Sequence, residues 1–155
     1  MKIAVGSDHR GFDAKQQITA IAAELGHECI DYGTSDNNPV DYPDLAYLAA
    51  SAVSKKEADR AILICATGIG MSMAANKVHG IRAALCHDEL SAQISRDHND
   101  ANVLCLSADQ VGAVLLRKMV EIWLSTNFCG GRHDRRVRKI QAIEEGLDPR
   151  TIVNS

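Results

Sequence analysis

The residues with the clearest chemical potential lie where an apolar run ends in a cysteine and a glycine-containing turn. The run 61–65 ends in Cys65, the turn 66–70 follows, and a helix is predicted to begin near Met71. Glycines in such a turn let backbone N–H groups converge on an anion, and the helix dipole adds positive potential. We expect this environment to lower the pKa of the Cys65 thiol and so make it reactive; the alternative is a buried structural cysteine beside a tight turn.

Three known phosphate-binding patterns do not fit this turn. The dinucleotide fingerprint G-x-G-x-x-G fails because Met73 replaces its third glycine and because the turn does not follow the first strand. A Walker loop fails because no G-K-[ST] sequence follows. A cysteine phosphatase would need an arginine that closes the loop on its phosphate, and Met71 and Ser72 stand there instead.

Two histidines follow the ends of other predicted elements. His9 comes directly after the first predicted strand, where Asp8 or Ser7 can cap the following helix and His9 is a candidate contact for an anion. His98 ends a predicted helix, where a solvated cation favoured by the helix dipole is the alternative to a functional histidine. His87 is about three helical turns, roughly 16 Å, from His98, so the two cannot share a metal ion, and the sequence predicts no metal site.

A basic run marks the start of the last predicted helix. Arg132 and Arg136 are four residues apart and can share one helix face. They could clamp a phosphate at the helix N-terminus, or they could belong to a solvated charged face. A nucleic-acid patch is disfavoured because the net charge of the chain is −3 and only 4% of its residues are aromatic.

The composition is typical of one soluble globular domain. The chain has 155 residues, enough to bury a core without a disulfide or a metal. Its five cysteines include no C-x-x-C pair, so a reducing cytoplasm is expected, and Cys29, Cys86 and Cys105 are predicted to be small core residues. No apolar stretch reaches the roughly 20 residues that a membrane span needs, and the N-terminus lacks a signal-peptide pattern.

Short apolar runs alternate with longer amphipathic stretches, and this alternation predicts the fold class. Strands are predicted at residues 3–6, 29–32, 61–65, 81–86 and 103–106. Helices are predicted at 12–25, 43–53, 88–98, 111–124 and 134–145, besides the one near Met71. The pattern favours an α/β fold, a single-domain three-layer αβα Rossmann-like sandwich with a mostly parallel sheet of about five strands. The domain is predicted to cover 1–146, with 147–155 as a loose polar C-terminal tail.

Motifs along nearly the whole chain resemble the ribose-5-phosphate isomerase B family, which also includes galactose-6-phosphate and allose-6-phosphate isomerases. They occur in the family's order, which is far more specific than any one motif. The motifs are Gly6-Ser7-Asp8-His9-Arg10-Gly11-Phe12, Asp41-Tyr42-Pro43, Cys65-Ala66-Thr67-Gly68-Ile69-Gly70, Ala74-Ala75-Asn76-Lys77, Gly80-Ile81-Arg82-Ala83, Arg96-Asp97-His98-Asn99-Asp100-Ala101-Asn102-Val103-Leu104 and Gly130-Gly131-Arg132-His133.

The resemblance implies an aldose–ketose isomerase that needs no metal or cofactor and acts on a sugar phosphate through an enediolate. It also implies a homodimer with active sites shared between subunits and no nucleic-acid or membrane partner; pairing into tetramers stays open. By position, Cys65 is implied to move a proton between C2 and C1, with Thr67 hydrogen-bonded to its thiol. His98 is implied to help open the furanose ring, with the partner subunit's Asn99 beside it. The implied binding residues are Asp8 for sugar hydroxyls, His9, Arg132 and Arg136 for the phosphate, and the backbone of Ala66, Thr67, Gly68, Ile69 and Gly70 for the anion.

Two positions depart from the family pattern. Ala66 stands where many members have glycine, and alanine is tolerated there only if its φ is negative. Asp109 stands where the family commonly has a phosphate-binding arginine. Its carboxylate would repel a phosphate dianion by roughly a few kcal/mol unless it points away or pairs with a cation, for which Arg10 and Arg117 are the candidates.

The resemblance therefore predicts the interconversion of ribose 5-phosphate and ribulose 5-phosphate. The first alternative is the same chemistry on a four- or six-carbon sugar phosphate, because the sequence does not measure the length of the pocket. The second is a non-catalytic phosphate-binding module on the same scaffold, which would need no thiolate at Cys65.

Overall fold

The computed structural model describes residues 1–153, in which five strands and six α-helices alternate. The strands are β1 (Lys2–Ser7), β2 (Glu28–Asp31), β3 (Arg60–Cys65), β4 (Ala83–Leu85) and β5 (Val103–Ser107). The helices are α1 (Phe12–Glu24), α2 (Tyr42–Ser54), α3 (Ile69–Ala75), α4 (Glu89–Asp97), α5 (Ala113–Ser125) and α6 (Arg132–Glu144). A 3-10 turn, His9–Gly11, joins β1 to α1.

All five strands run parallel in one sheet, in the order β2-β1-β3-β5-β4. β3 is the central strand, with β1 and β5 on its two sides. Ser7 lies opposite Ile64 and Cys65 lies opposite Ser107, so the ends of β1, β3 and β5 meet on one side of the sheet. We call this side the carboxyl edge, and the side where the strands begin the amino edge.

Helices cover both faces of the sheet, which explains why most of its strands are apolar throughout. One face packs against α1, α4 and α5, with large side chains that include Ile18, Leu116 and Trp123. The other face packs against α2 and α3, where small side chains such as Ala49 and Ala75 bring the helices close. The predicted three-layer α/β fold is thereby confirmed.

Glycines explain why two helices begin earlier than the sequence pattern predicts. α3 begins at Ile69 because Gly68, with φ +75°, completes the turn that precedes it. α6 begins at Arg132 because Gly130 and Gly131, with φ of +65° and +57°, reverse the chain just before it. Both helices follow segments that carry predicted site residues.

The shortest strand begins later than the sequence pattern predicts, and the predicted C-terminal tail contains a short turn. β4 starts late because the N–H of Arg82 donates to Asn102 Oδ1 at 2.8 Å. The tail contains a 3-10 turn, Pro149–Thr151, whose Pro149 carbonyl accepts a hydrogen bond from Lys139 Nζ at 2.9 Å. Residues 154 and 155 of the tail lie outside the described residues.

Within residues 1–153, no helix is both long and apolar enough to cross a membrane.

Candidate active site

Loops after β1, β3 and β5 meet at the carboxyl edge, and backbone hydrogen bonds hold them together. The N–H of Asp8, after β1, donates to the carbonyl of Ile64 in β3 at 3.3 Å. The N–H of Ala108, after β5, donates to the carbonyl of Cys65 at 2.9 Å. The end of the central strand is therefore fixed from both sides.

Cys65 is the last residue of β3 and points to the α2–α3 face of the sheet, where it is 4% exposed. The N–H of Gly68 donates to Cys65 Sγ at 3.2 Å. At Gly68, where φ is +75°, a Cβ would lie 2.6 Å from Leu85 Cδ1 and 2.9 Å from the carbonyl carbon of Leu106. Glycine is therefore required where the backbone turns an N–H onto the sulfur, and that N–H can stabilise negative charge there.

The Thr67 hydroxyl makes a different contact from the one expected. Thr67 Oγ1 accepts a hydrogen bond from the N–H of Ile69 at 3.3 Å, and no hydrogen bond joins it to Cys65 among the described residues. The hydroxyl closes a local turn onto the first residue of α3, whose N-cap is Gly68. The hydrogen bond to the sulfur comes from Gly68 instead.

The backbone at position 66 meets the condition that an alanine there requires. Among the described residues other than glycine, only Lys56 and Asp100 have a positive φ. Ala66 therefore carries none of the strain of a left-handed backbone. Of the amides expected to form an anion site at 66–70, those of Gly68 and Ile69 are engaged with Cys65 and Thr67 as described.

Asp8 and His9 lie on the loop after β1. Asp8 caps the 3-10 turn as predicted, because its Oδ1 accepts hydrogen bonds from the N–H groups of Arg10 and Gly11, both at 3.0 Å. His9 Nδ1 accepts a hydrogen bond from the N–H of Val40 at 3.3 Å. A neutral imidazole with an acceptor at Nδ1 carries its proton on Nε2, so His9 keeps one N–H donor for a ligand.

Asp109 is paired, and its partner is Arg10. Arg10 Nη2 donates to Asp109 Oδ1 at 2.9 Å and to Oδ2 at 2.8 Å, which links the loops after β1 and β5. The side chains are 57% and 41% exposed, so the pair stabilises the fold by at most about 1 kcal/mol. Arg117, the other candidate cation, pairs with Glu24 and Glu121 instead. The carboxylate of Asp109 therefore does not face a phosphate as an uncompensated charge.

Sequence reasoning assigns no role to two further residues at this edge. Tyr42 lays its ring against Gly70, where an added Cβ would lie 2.5 Å from two ring atoms. Ser107 Oγ donates to the carbonyl of Ala66 at 2.6 Å and accepts a hydrogen bond from the N–H of Gln110. Tyr42 could have been singled out by its place in a motif, and Ser107 by its place at the end of a strand. Neither position predicts that the residue contacts the turn after Cys65.

The remaining predicted residues gather at the amino edge, between the end of α4 and the start of α6. Asn99, Arg132 and Arg136 are exposed there. His98, which follows α4, stacks on His133 with ring centroids 4.0 Å apart and planes 9° from parallel. Arg132 Nε donates to His133 Nε2 at 3.3 Å. His133 has no predicted role, although it lies within a recognised motif.

The two groups of predicted residues lie at opposite edges of the sheet. Cys65 lies opposite Ser107, at the end of β5, whereas His98 comes before Val103, where β5 begins. The distance along β5 from Val103 to Ser107 is about 13 Å. Within one chain the thiol and the His98 imidazole therefore cannot contact the same small sugar.

Three of the other four cysteines lie in or against the hydrophobic core. Cys86 and Cys105 are 1% and 0% exposed, as predicted for core residues, and Cys29 is half-buried. Burial raises the pKa of the Cys105 thiol well above its ordinary value, and the neighbouring Cys65 and Cys86 act in the same direction. Over residues 1–153, no group of three or more His, Cys, Asp or Glu side chains is placed to hold a metal ion.

The chain is similar to sugar phosphate isomerases over most of its length. The profile of a family described as ribose/galactose isomerase matches residues 3–140. The chain is 49% identical to ribose-5-phosphate isomerase B of Escherichia coli, across 93% of this chain and 97% of that relative. It is 42% identical to D-erythrulose-4-phosphate isomerase of Pectobacterium atrosepticum, across 93% of this chain and 95% of that relative.

The fold is similar to a solved structure with a bound sugar phosphate. The crystal structure of ribose-5-phosphate isomerase B from Mycoplasma genitalium with bound ribulose 5-phosphate has a TM-score of 0.89 to this chain. The two are 42% identical, and the match covers 93% of this chain and 96% of the other. Because the profile match, the identities and the fold agree along nearly the whole chain, it belongs to the ribose/galactose isomerase family.

Proposed function

We propose that the protein is an aldose–ketose isomerase that interconverts ribose 5-phosphate and ribulose 5-phosphate. The observation that carries this proposal is the placement of Cys65, a thiol at the end of the central strand with the Gly68 N–H on its sulfur. Asp8 and His9 lie on the adjacent loop, and we assign Asp8, which is 6% exposed, to the sugar and His9, which keeps one N–H donor, to its phosphate. The family to which the chain belongs supports the same reaction class.

The chemistry needs one base and donors for an oxyanion. Cys65, as a thiolate, removes the proton from C2 of the open-chain aldose, and O1 takes the negative charge of the enediolate. A proton then moves from O2 to O1 and the thiol returns a proton to C1, which leaves the ketone at C2. We assign the stabilisation of that charge to the Thr67 hydroxyl and to those amides of the turn 66–70 that are not already engaged with Cys65 and Thr67. One preorganised donor contributes roughly 3 kcal/mol. A positioned proton-transfer group adds about 10²- to 10⁴-fold in rate.

We infer that each active site is built from two copies of the chain. The reason is geometric, because the base and the His98 imidazole lie at opposite edges and can meet only if one copy's amino edge faces the other's carboxyl edge. An apolar surface supports such a contact: Tyr47, Ile69 and Met73, on the α2–α3 side, are 60%, 47% and 64% exposed. A homodimer would bury this surface.

The distribution of charge supports the same arrangement. At the carboxyl edge His9 offers one N–H donor, and the neighbouring Asp8 is suited to sugar hydroxyls rather than to a phosphate. The exposed Arg132 and Arg136 lie at the amino edge. In a shared site, His9 of one copy and these two arginines of the other would hold the phosphate, whose binding energy orients the reacting carbons.

Ring opening is the role proposed for the histidine of the amino edge. As the bond between C1 and the ring oxygen breaks, His98 gives a proton to that oxygen and the C1 hydroxyl loses its proton to water. An imidazole suits this step because its ordinary pKa of about 6.5 lets it donate and accept near neutral pH. Asn99, adjacent in sequence, would lie beside the substrate.

The five free cysteines favour a reducing compartment, and we place the enzyme in the cytoplasm.

Proton NMR of ribose 5-phosphate in D₂O tests the reaction and its base together. We expect the wild-type protein to form ribulose 5-phosphate with deuterium at the exchanging carbon, and Cys65→Ala to do neither. Cys29→Ala is the matched control, because it removes a half-buried thiol on another strand and should leave turnover unchanged.

Two other outcomes would redirect the proposal. If the wild-type protein turns over four- or six-carbon sugar phosphates but not ribose 5-phosphate, the chemistry stands and the substrate is wrong. D-erythrulose 4-phosphate is tested first, because a relative that is 42% identical carries that name. If sugar phosphates bind equally to wild type and Cys65→Ala without any turnover, the protein is a binding module.

A further inference from the structure

One contact at the amino edge is not used by the proposed reaction: the stacking of His133 on His98. The ring centroids are 4.0 Å apart and the planes differ by only 9°. His133 is 6% exposed, whereas the His98 side chain is 36% exposed. One ring is therefore buried, and the other lies over it with an open side.

The groups around His133 keep its ring neutral. Arg132 Nε donates to His133 Nε2 at 3.3 Å, so that nitrogen carries a lone pair and the ring proton is on Nδ1. Arg132 and Arg136 face the ring from α6, and His98 and Asp97 face it from the end of α4. Burial lowers the pKa of His133. The positive charges of His98, Arg132 and Arg136 lower it further, and the negative charge of Asp97 raises it.

The charges beside the two stacked rings disfavour protonation of both at once. Asp97 Oδ2 lies 3.7 Å from His98 Nε2, where its negative charge stabilises an imidazolium. Two imidazolium rings stacked at 4.0 Å would repel each other in a site that is partly shielded from water. The neutral face of His133 imposes no such repulsion on a protonated His98.

The segment before α6 is built to bring His133 to this place. The N–H of Cys129 donates to the carbonyl of Asp97 at 3.1 Å, which joins the segment to the end of α4. The N–H of His133 donates to the carbonyl of Gly130 at 3.1 Å, across a turn in which Gly130 has φ +65°. His133 therefore reaches His98 from a backbone that is hydrogen-bonded on both sides.

We propose that His133 is a positioning residue for His98: a buried neutral ring that holds the His98 imidazole in one plane and adds no positive charge beside it. The inference rests on the proposed role of His98 in opening the sugar ring. His133 itself would not contact the reacting atoms.

The chemistry of the two sugars separates ring opening from proton abstraction. Ribose 5-phosphate is mainly a closed furanose and has to be opened before C2 can lose its proton. Ribulose 5-phosphate stays open, because the oxygen that would close its furanose ring carries the phosphate. Exchange of its C1 hydrogen with solvent therefore needs the base but no ring opening.

The test compares wild type with His133→Ala, which removes the ring, and His133→Phe, which keeps a planar ring that cannot be protonated. We expect the kcat for ribose 5-phosphate to fall about ten- to a hundredfold in His133→Ala, because a misplaced proton donor loses this part of its contribution to the rate. Exchange of deuterium into C1 of ribulose 5-phosphate should stay within about twofold of wild type. In His133→Phe the kcat should stay within about threefold of wild type, and any change through Arg132 should appear in KM.

A kcat that is unchanged in His133→Ala would overturn the proposal. So would an equal loss of ribose 5-phosphate turnover and of C1 exchange, because His133 would then support the whole site or the fold rather than His98. Partial rescue by His133→Phe separates loss of the stacked ring from loss of stability.

Histidine Hε1 titration by NMR on the free protein tests the protonation of the pair without any substrate. We expect the signal that is lost in His133→Phe to titrate with a midpoint below the ordinary histidine value of about 6.5, because burial and the neighbouring cations lower the pKa of His133. A midpoint at or above that value would overturn the assignment of His133 as a neutral ring. If wild type shows no turnover and no exchange, the proposed function fails, and this titration still decides the stacking proposal.

Discussion

At the scale of single residues, the backbone conformation of Gly68 determines whether its N–H can donate a hydrogen bond to the Cys65 sulfur. In Gly68→Ala the new Cβ would meet Leu85 and the backbone of Leu106, and the N–H would turn away from the sulfur. We expect a loss of about 2–4 kcal/mol in the free energy of unfolding, with a large loss of turnover. Urea unfolding and the isomerase assay measure the two effects.

The matched control for this substitution is Gly80→Ala. Gly80 has a similar φ of +78°, but a Cβ there meets nothing within 4 Å. Gly80→Ala should therefore lower the free energy of unfolding only by the penalty for a left-handed backbone, about 1 kcal/mol. Equal losses in the two variants would mean that the contacts with Leu85 and Leu106 do not matter.

The Arg10–Asp109 pair gives a second prediction at the residue scale. Replacing Asp109 with Asn leaves Arg10 in place and removes one negative charge from the carboxyl edge. We expect the KM for ribose 5-phosphate to fall roughly two- to fivefold at low ionic strength, and the gain to shrink as salt screens it. Glu121→Gln, on the outer pair with Arg117, should leave KM unchanged. A rise in KM in Asp109→Asn would indicate instead that Asp109 orients Arg10 for binding.

At the scale of elements, Lys15 joins α1 to the end of β2 and to the loop that follows it. It is 0% exposed, and its Nζ donates to both oxygens of Asp31 at 2.7 and 2.6 Å and to the carbonyl of Thr34 at 2.6 Å. Lys15→Met should lower the free energy of unfolding by about 1–3 kcal/mol, because the buried Thr34 carbonyl loses its donor while the half-exposed Asp31 can be hydrated.

A lysine on the surface provides the comparison. Lys118 is 59% exposed and lies 3.6 Å from Glu89, so Lys118→Met should change stability by less than about 0.5 kcal/mol. Thermal and urea unfolding of both variants check the difference. Equal stabilities would show that water replaces the contacts of Lys15.

The order of the elements could be predicted from the sequence, because buried parallel strands are apolar throughout and the helices between them are amphipathic. Their ends were harder to predict. Apolarity does not mark the start of α3, which is set by the φ of Gly68. It does not mark the late start of β4 either, because that depends on a hydrogen bond from Arg82 to Asn102.

The candidate site was predictable in part for the same reason. Cys65 and His9 follow strands, and parallel strands bring their ends to one edge. The contact of Arg10 with Asp109 joins residues 99 positions apart and depends on how two loops fold, which no local pattern encodes. The placement of His98 far from Cys65 follows from the alternation of strand and helix, since a helix that precedes a parallel strand ends at the amino edge.

At the scale of the whole molecule, a shared active site predicts that two inactive variants restore each other. Cys65→Ala and His98→Ala each remove one edge's contribution. Mixed by unfolding and refolding together, half of the dimers would be hybrids with one intact site, so activity should return to about a quarter of wild type. Mixing each variant with itself is the control. No recovery would mean that the two residues act within one chain or do not act on the same sugar.

The stability of the folded chain should also depend on pH through His133. Its pKa is lowered by folding, so its contribution is fully present above the ordinary value of about 6.5 and is lost as the pH falls through that value toward the lowered one. We expect the urea midpoint of wild type to fall more steeply from pH 7 to pH 5 than that of His133→Phe. Parallel profiles would show that the buried ring is not what resists protonation.

The central place of β3 has a consequence for how the molecule opens. β3 has a hydrogen-bonded neighbour on each side and a layer of helices on each face, so its amides can reach solvent only when most of the sheet separates. In native-state hydrogen exchange such a strand belongs to the slowest-exchanging unit, whereas helix ends and edge strands open locally. Cys65, the proposed base at the end of β3, therefore lies in the part of the chain that opens last, and partial unfolding elsewhere would leave the thiol in place until the whole domain unfolds.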